Sequence, residues 1–194
     1  MNWKIIFNPF EKIADKTLVI IGIIAFLIAS VYSWINQIIF DGMMDIHLAE
    51  GLANLDYFNA HAITLLVTVF LFFLAAQIIN KKTRIADIFA TALIFRIPLY
   101  IAALFINTPI MAELAYKVES LQGGLNQLNF TTVELVQLLA ISFLNLILLL
   151  WAVVLLFFGF KTATHAKTPL HYVVFIITII VTEIATKLLI NLVL

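Results

Sequence analysis

The chain has 194 residues, 64% of them apolar and 11% charged, where soluble domains run at about half and a quarter. A soluble globule of this composition would be coated with its own hydrocarbon, so that class is excluded and a bilayer-embedded helical bundle fits. The absence of Cys excludes disulfides, thiolate metal sites and Cys nucleophiles, and the formal net charge of zero conceals an uneven placement along the chain.

Residues 1–16 carry Lys4, Lys12 and Lys16 among Trp3, Ile5, Ile6, Phe7, Phe10 and Ile13, with Pro9 as a helix-starting residue. This pattern predicts a cytoplasmic, interfacial lead-in. The uncharged stretch 17–40 is long enough for a first span, which needs roughly 20 residues. It is too long for a secretory leader and lacks a small-x-small exit, so a retained anchor is expected. The stretch 41–60 holds Asp41, Asp45, Glu50 and Asp56 with no Lys or Arg, and reads as an acidic external loop. A second helix is expected over 61–80, closed by Lys81, Lys82 and Arg84, and a third over 85–106, containing Arg96 and Pro98. A second external segment with Glu113, Lys117, Glu119 and Gly123-Gly124 follows. The fourth helix, over 132–160, exceeds what a bilayer requires, so its first turns around Glu134 and Gln137 are expected to stand above the membrane or to tilt. Lys161, His165 and Lys167 form a basic turn, and the fifth helix, over 170–192, carries Glu183 and Lys187.

The cations at 4, 12, 16, 81, 82, 84, 161 and 167 thus fall on one side, Lys117 on the other, and Arg96 and Lys187 within helices. Basic turns mark the cytoplasmic side. The expected fold is all-α, a polytopic bundle of five transmembrane helices with its N-terminus inside and its C-terminus outside, 1–16 as lead-in and 17–194 as one domain.

Small residues supply close packing where lipid gives helices no hydrophobic reason to pair. Gly22, Ala25, Ala29 and Ser33 on helix one, and Ser142, Asn145, Ala152 and Gly159 on helix four, are expected to form such seams. Arg96 lies eleven positions into helix three, about 16 Å deep at 1.5 Å per residue. Glu183 is at a similar depth on helix five, so the two are expected to meet as a bidentate pair. Lys187 shares that face one turn on, Thr182 and Thr186 extend its polar side, and Pro98 is placed to kink helix three. This intramembrane polar centre has two readings: a buried ion pair that fixes packing, or a site for an ion, proton or lipid headgroup.

Asp87, beside Lys81, Lys82 and Arg84, reads as a capping or locally ion-paired residue, and Glu134, in the first turn of helix four, as structural. His47, His61, His165 and His171 show no ligand spacing, and neither a Gly-rich phosphate loop nor a G-x-S-x-G setting is present. No catalytic, cofactor-binding or metal residue is expected, and no nucleic-acid partner. Asn129-Phe130-Thr131 matches a glycosylation acceptor by a pattern too short to use.

The run Asn8-Pro9-Phe10-Glu11-Lys12, the stretch Phe95-Arg96-Ile97-Pro98, and the exit from Trp151 through Phe158-Gly159-Phe160-Lys161-Thr162-Ala163-Thr164 together resemble short prokaryotic members of the Yip1-domain family. The resemblance implies five helices, a cytoplasmic N-terminus and a non-cytoplasmic C-terminus. Eukaryotic members are associated with Golgi and endoplasmic-reticulum trafficking and with Rab GTPases, through a longer N-terminal region. This chain has about sixteen residues before helix one and lacks the Asp-Leu-Tyr-Gly-Pro segment, so Rab binding is not carried over. The leading expectation is a non-enzymatic membrane scaffold of Yip1 type in a bacterial plasma membrane, whose partners are the lipid bilayer and homo-oligomers or other membrane proteins. The alternative is a small ion, proton or lipid transporter centred on Arg96, Glu183 and Lys187.

Overall fold

The computed structural model describes residues 3–49, 51–106, 108, 110–111 and 131–194. Glu50, the external segment with Glu113, Lys117, Glu119 and Gly123-Gly124, and the acceptor pattern apart from its Thr131 lie outside the described residues. Among the described residues the regular structure is helical apart from one pair of two-residue strands. A short α1 (Trp3–Phe7) and a 3-10 turn (Pro9–Glu11) precede α2 (Asp15–Asn36), α3 (Asn54–Ile79), α4 (Ile85–Ile94), α5 (Ile97–Ile106), α6 (Thr132–Thr164) and α7 (Pro169–Val193). Five units are long and apolar enough to cross a membrane: α2, α3, the α4–α5 run, α6 and α7. Ile28 (66% exposed), Phe70 (60%), Ile78 (76%) and Leu192 (82%) point outward from them, a surface suited to lipid tails.

Several boundaries differ from expectation for local reasons. The first span stops at Asn36 and not at residue 40, because Gln37 takes a left-handed conformation (φ 53°) that closes the helix. The apolar residues beyond it form β1 (Ile38–Ile39), which pairs antiparallel with β2 (His47–Leu48). Ile38, Ile39, Phe40 and Met43 are buried, so what reads as the end of a span is an apolar plug at the acidic end of the bundle. The second span begins earlier than residue 61, because the Asp56 carboxylate accepts the Ala53 amide at 3.1 Å and caps the turn before Tyr57. At α6 a reciprocal cap gives Glu134 its structural role: Thr131 Oγ1 accepts the Glu134 amide at 3.2 Å and Glu134 accepts the Thr131 amide at 2.7 Å. The helix continues to Thr164, where left-handed His165 ends it, and Pro169 opens α7.

The α4–α5 run is the most enclosed of the five. Two glycines bring neighbours onto it: a Cβ at Gly22 of α2 would overlap Leu93, and one at Gly159 of α6 would overlap Thr91. The small-residue seams therefore exist in part. Gly22, Ala29 and Ser33 are buried on α2, and Ala152 and Gly159 on α6. Ser142 is exposed, since no α6 residue before Leu148 is buried. The N-terminal segment lies along α6, with Trp151 Nε1 donating to the Ile6 carbonyl at 3.0 Å.

Candidate functional site

Arg96 sits where α4 ends and α5 begins. Pro98 has no N–H to give the Ile94 carbonyl one turn back, so the helical ladder is interrupted at Phe95–Arg96. The expected kink is thus a break between two half-helices, midway along the span. The Arg96 side chain is 0% exposed. Its Nη2 donates to Thr68 Oγ1 of α3 at 3.3 Å, and its guanidinium carbon stands 5.6 Å from the Phe95 ring centroid. Among the described residues Nε and Nη1 have no hydrogen-bond partner.

The Tyr100 hydroxyl, one turn after Arg96 and beside its guanidinium, connects to a second buried group that sequence reasoning left unassigned. His61 is 0% exposed on α3. Its Nε2 is 2.9 Å from Tyr100 Oη and its Nδ1 is 2.8 Å from Ser30 Oγ. Ser30 donates its own hydrogen to the Phe26 carbonyl at 2.8 Å, so Nδ1 must carry the proton toward Ser30 and Nε2 must accept from Tyr100. Phe40 of the plug stacks on the imidazole at 4.5 Å and Phe26 lies at 4.2 Å. The polar string Ser30–His61–Tyr100–Arg96–Thr68 thereby joins α2, α3 and α5 through the centre of the bundle.

The expected Arg96–Glu183 pair is not formed. α7 packs mainly on α3, while the helices flanking Arg96 pack on α2, α3 and α6. Glu183 instead accepts the Met44 amide of the plug at 3.0 Å, and a Cβ at Gly42 would overlap its Oε1. Lys187 lies 2.5 Å from Asp45 and 3.8 Å from Glu183. Burial alone would raise the Asp45 carboxyl; the Lys187 hydrogen bond and charge, with His47 nearby, outweigh it and hold that carboxyl below its ordinary range. Thr182 and Thr186 are fully buried and donate to the carbonyls of Thr178 and Thr182. The predicted centre is therefore split: Arg96 and Pro98 belong to the interior string, whereas Glu183 and Lys187 fasten the plug. Asp41, Asp45 and His47 of that plug place one ligand atom each within 4.8 Å of one another, though Asp45 is engaged by Lys187.

At the basic end, Arg84 bonds both Asp15 and Asp87 at 2.5 Å. These two carboxylates, Asp87 foremost, raise its already high pKa. Asp87 thus pairs as expected. A pocket of about 380 Å³ opens there, lined by Lys82, Arg84, Asp15, Asp87 and His165, with Thr91 and Gly159 also in its wall. Lys161 stands 5.8 Å from the Phe157 ring centroid. Lys81 and Lys167 are exposed.

Ser30, His61, Thr68, Tyr100 and Asp45 were missed. One signal was available: Thr64 and Thr68, Arg96 and Tyr100, and Thr178, Thr182 and Thr186 all repeat at four-residue spacing within apolar helices, which aligns polar groups on one face. The partner faces had no such signal. No family model, curated protein or solved structure matches the chain.

Proposed function

We propose that this chain is a non-enzymatic, multi-pass membrane protein that carries a small ion through a polar centre built on Arg96, with its basic turns on the cytoplasmic side of a bacterial plasma membrane. One observation carries the reading: a fully buried Arg, with Nε and Nη1 unpartnered, at a break between two half-helices. Ionisable groups at that depth mark ion and substrate pathways, and interrupted spans recur at the binding sites of small transporters. The orientation rests on the cations of the basic turns.

A membrane scaffold of Yip1 type is the second reading. It is favoured by the contacts that join separate elements, Ser30–His61–Tyr100 within the bundle and Asp45–Lys187 at its acidic end. Ion flux into proteoliposomes containing the purified chain separates the two. The carrier reading expects flux that Arg96→Leu removes while the variant stays folded. Absence of flux, together with a large loss of stability in Arg96→Leu, would leave the scaffold.

A further inference from the structure

Arg96 combines three features. It is fully buried, and among the described residues two of its three guanidinium nitrogens have no acceptor and no carboxylate stands within 4.0 Å of it. Hydrogen bonds alone could be completed by a water, but a guanidinium at this depth also needs an opposite charge, since an isolated buried ion carries a large desolvation cost. Glu183, the partner expected from the sequence, makes no ion pair with Arg96: its oxygens are turned to Met44 and Lys187, and its charge reaches the guanidinium only at longer range. The sign of the fixed charge decides what is admitted. An Arg in a narrow pore repels cations and protons and attracts anions.

Size is limited too. Arg96 has no exposed surface, and Thr91, in the wall of the basic-end pocket, is five residues, about 7.5 Å of helix, from Arg96. That pocket has ample room for a hydrated ion, whose waters occupy about 30 Å³ each. Its charges are of both signs, with Arg84 bound to Asp15 and Asp87, so it does not itself choose between anions and cations. In its wall Gly159 packs on Thr91 with no room for an added methyl group, and the full burial of Arg96 disfavours a phosphate headgroup or an organic acid.

We infer that the Nε–H and Nη1–H groups of Arg96 bind a small monovalent inorganic anion of halide size at the break between α4 and α5. Its site is the one in the carrier reading above, on which the inference rests for a role, and it narrows the cargo of that carrier from ions in general to anions. Thr68 holds Nη2 and so orients the guanidinium, and Tyr100 borders it.

The test is equilibrium binding of radiolabelled chloride to the full chain in detergent, paired with chloride, potassium and proton flux in proteoliposomes. Saturable binding is expected in the wild type, displaced by bromide and not by gluconate, and weakened more than roughly tenfold by Arg96→Gln. Thr68→Val keeps the cation and should weaken binding by a smaller factor, which guards against an Arg96 variant that fails to fold. Lack of saturable chloride binding in the wild type overturns the inference, as does unchanged binding in folded Arg96→Gln. If potassium or protons cross while chloride neither binds nor crosses, the inference falls and the carrier reading stands. Chloride binding with no flux of any ion supports the anion site and sinks the carrier.

Discussion

Lys187 Nζ lies 2.5 Å from Asp45 Oδ2, tying the last helix to a loop 142 positions earlier in the chain. Both side chains keep substantial exposure, 43% and 38%, so solvent screening limits the pair to at most about 1 kcal/mol. The Asp45 carboxyl is held below its ordinary value of 3.8. A depressed folded pKa contributes stability above the unfolded value and loses it as pH falls through the folded one. Asp45→Asn should therefore be less stable than wild type near neutral pH, and the gap should close below about pH 4. Thermal unfolding in detergent across that range checks this, and a gap that persists in strong acid would count against the pair.

Gly42 is the point at which the plug passes Glu183. A Cβ there would overlap Glu183 Oε1 and come within 2.7 Å of Asp45 Cβ. The carboxylate end can swing aside, but the Asp45 Cβ sits on the loop backbone. Gly42→Ala should cost about 1–3 kcal/mol, as overpacking does. Adding Glu183→Ala should recover part of it. Additive losses in that double-mutant cycle would mean the two do not touch.

His61 bridges two helices through opposite ring nitrogens. Replacing it by Ala leaves Ser30 its bond to the Phe26 carbonyl but takes from the Tyr100 hydroxyl its acceptor, at about 1–3 kcal/mol for a buried group left unpaired, on top of the lost ring packing. Tyr100→Phe leaves the buried His61 Nε2 unpaired and should cost about 1–3 kcal/mol, less than His61→Ala because the imidazole packing is kept. Chemical unfolding in mixed micelles gives both values, and nitrogen NMR of the imidazole should show the proton on Nδ1. A proton on Nε2 would reverse the donor order assigned to the string.

Orientation is testable because the chain has no Cys of its own. In intact cells a membrane-impermeant maleimide should label His47→Cys in the plug and reach Lys82→Cys only after lysis, as the distribution of basic residues predicts. The opposite pattern would invert the proposed topology.

Composition and spacing determined the class of this protein. Predominantly apolar stretches near twenty residues must bury or be covered by lipid, and they marked the five candidate spans without knowledge of any contact. Helix starts with a local device were also legible, such as Thr131 with Glu134 and Pro169, because caps act within one turn. Lateral neighbours were not, since depth is set by counting residues along one helix while pairing depends on which helices adjoin. Arg96 and Glu183 were expected to meet from residue counting alone, yet α7 settled on α3, so Glu183 took the Met44 amide and Arg96 turned to Thr68. The plug was hidden for a related reason: Ile38, Ile39 and Phe40 are as apolar as the helix before them, and only the left-handed turn at Gln37 and the burial beyond it separate a lipid-facing span from a segment folded into the protein's own core.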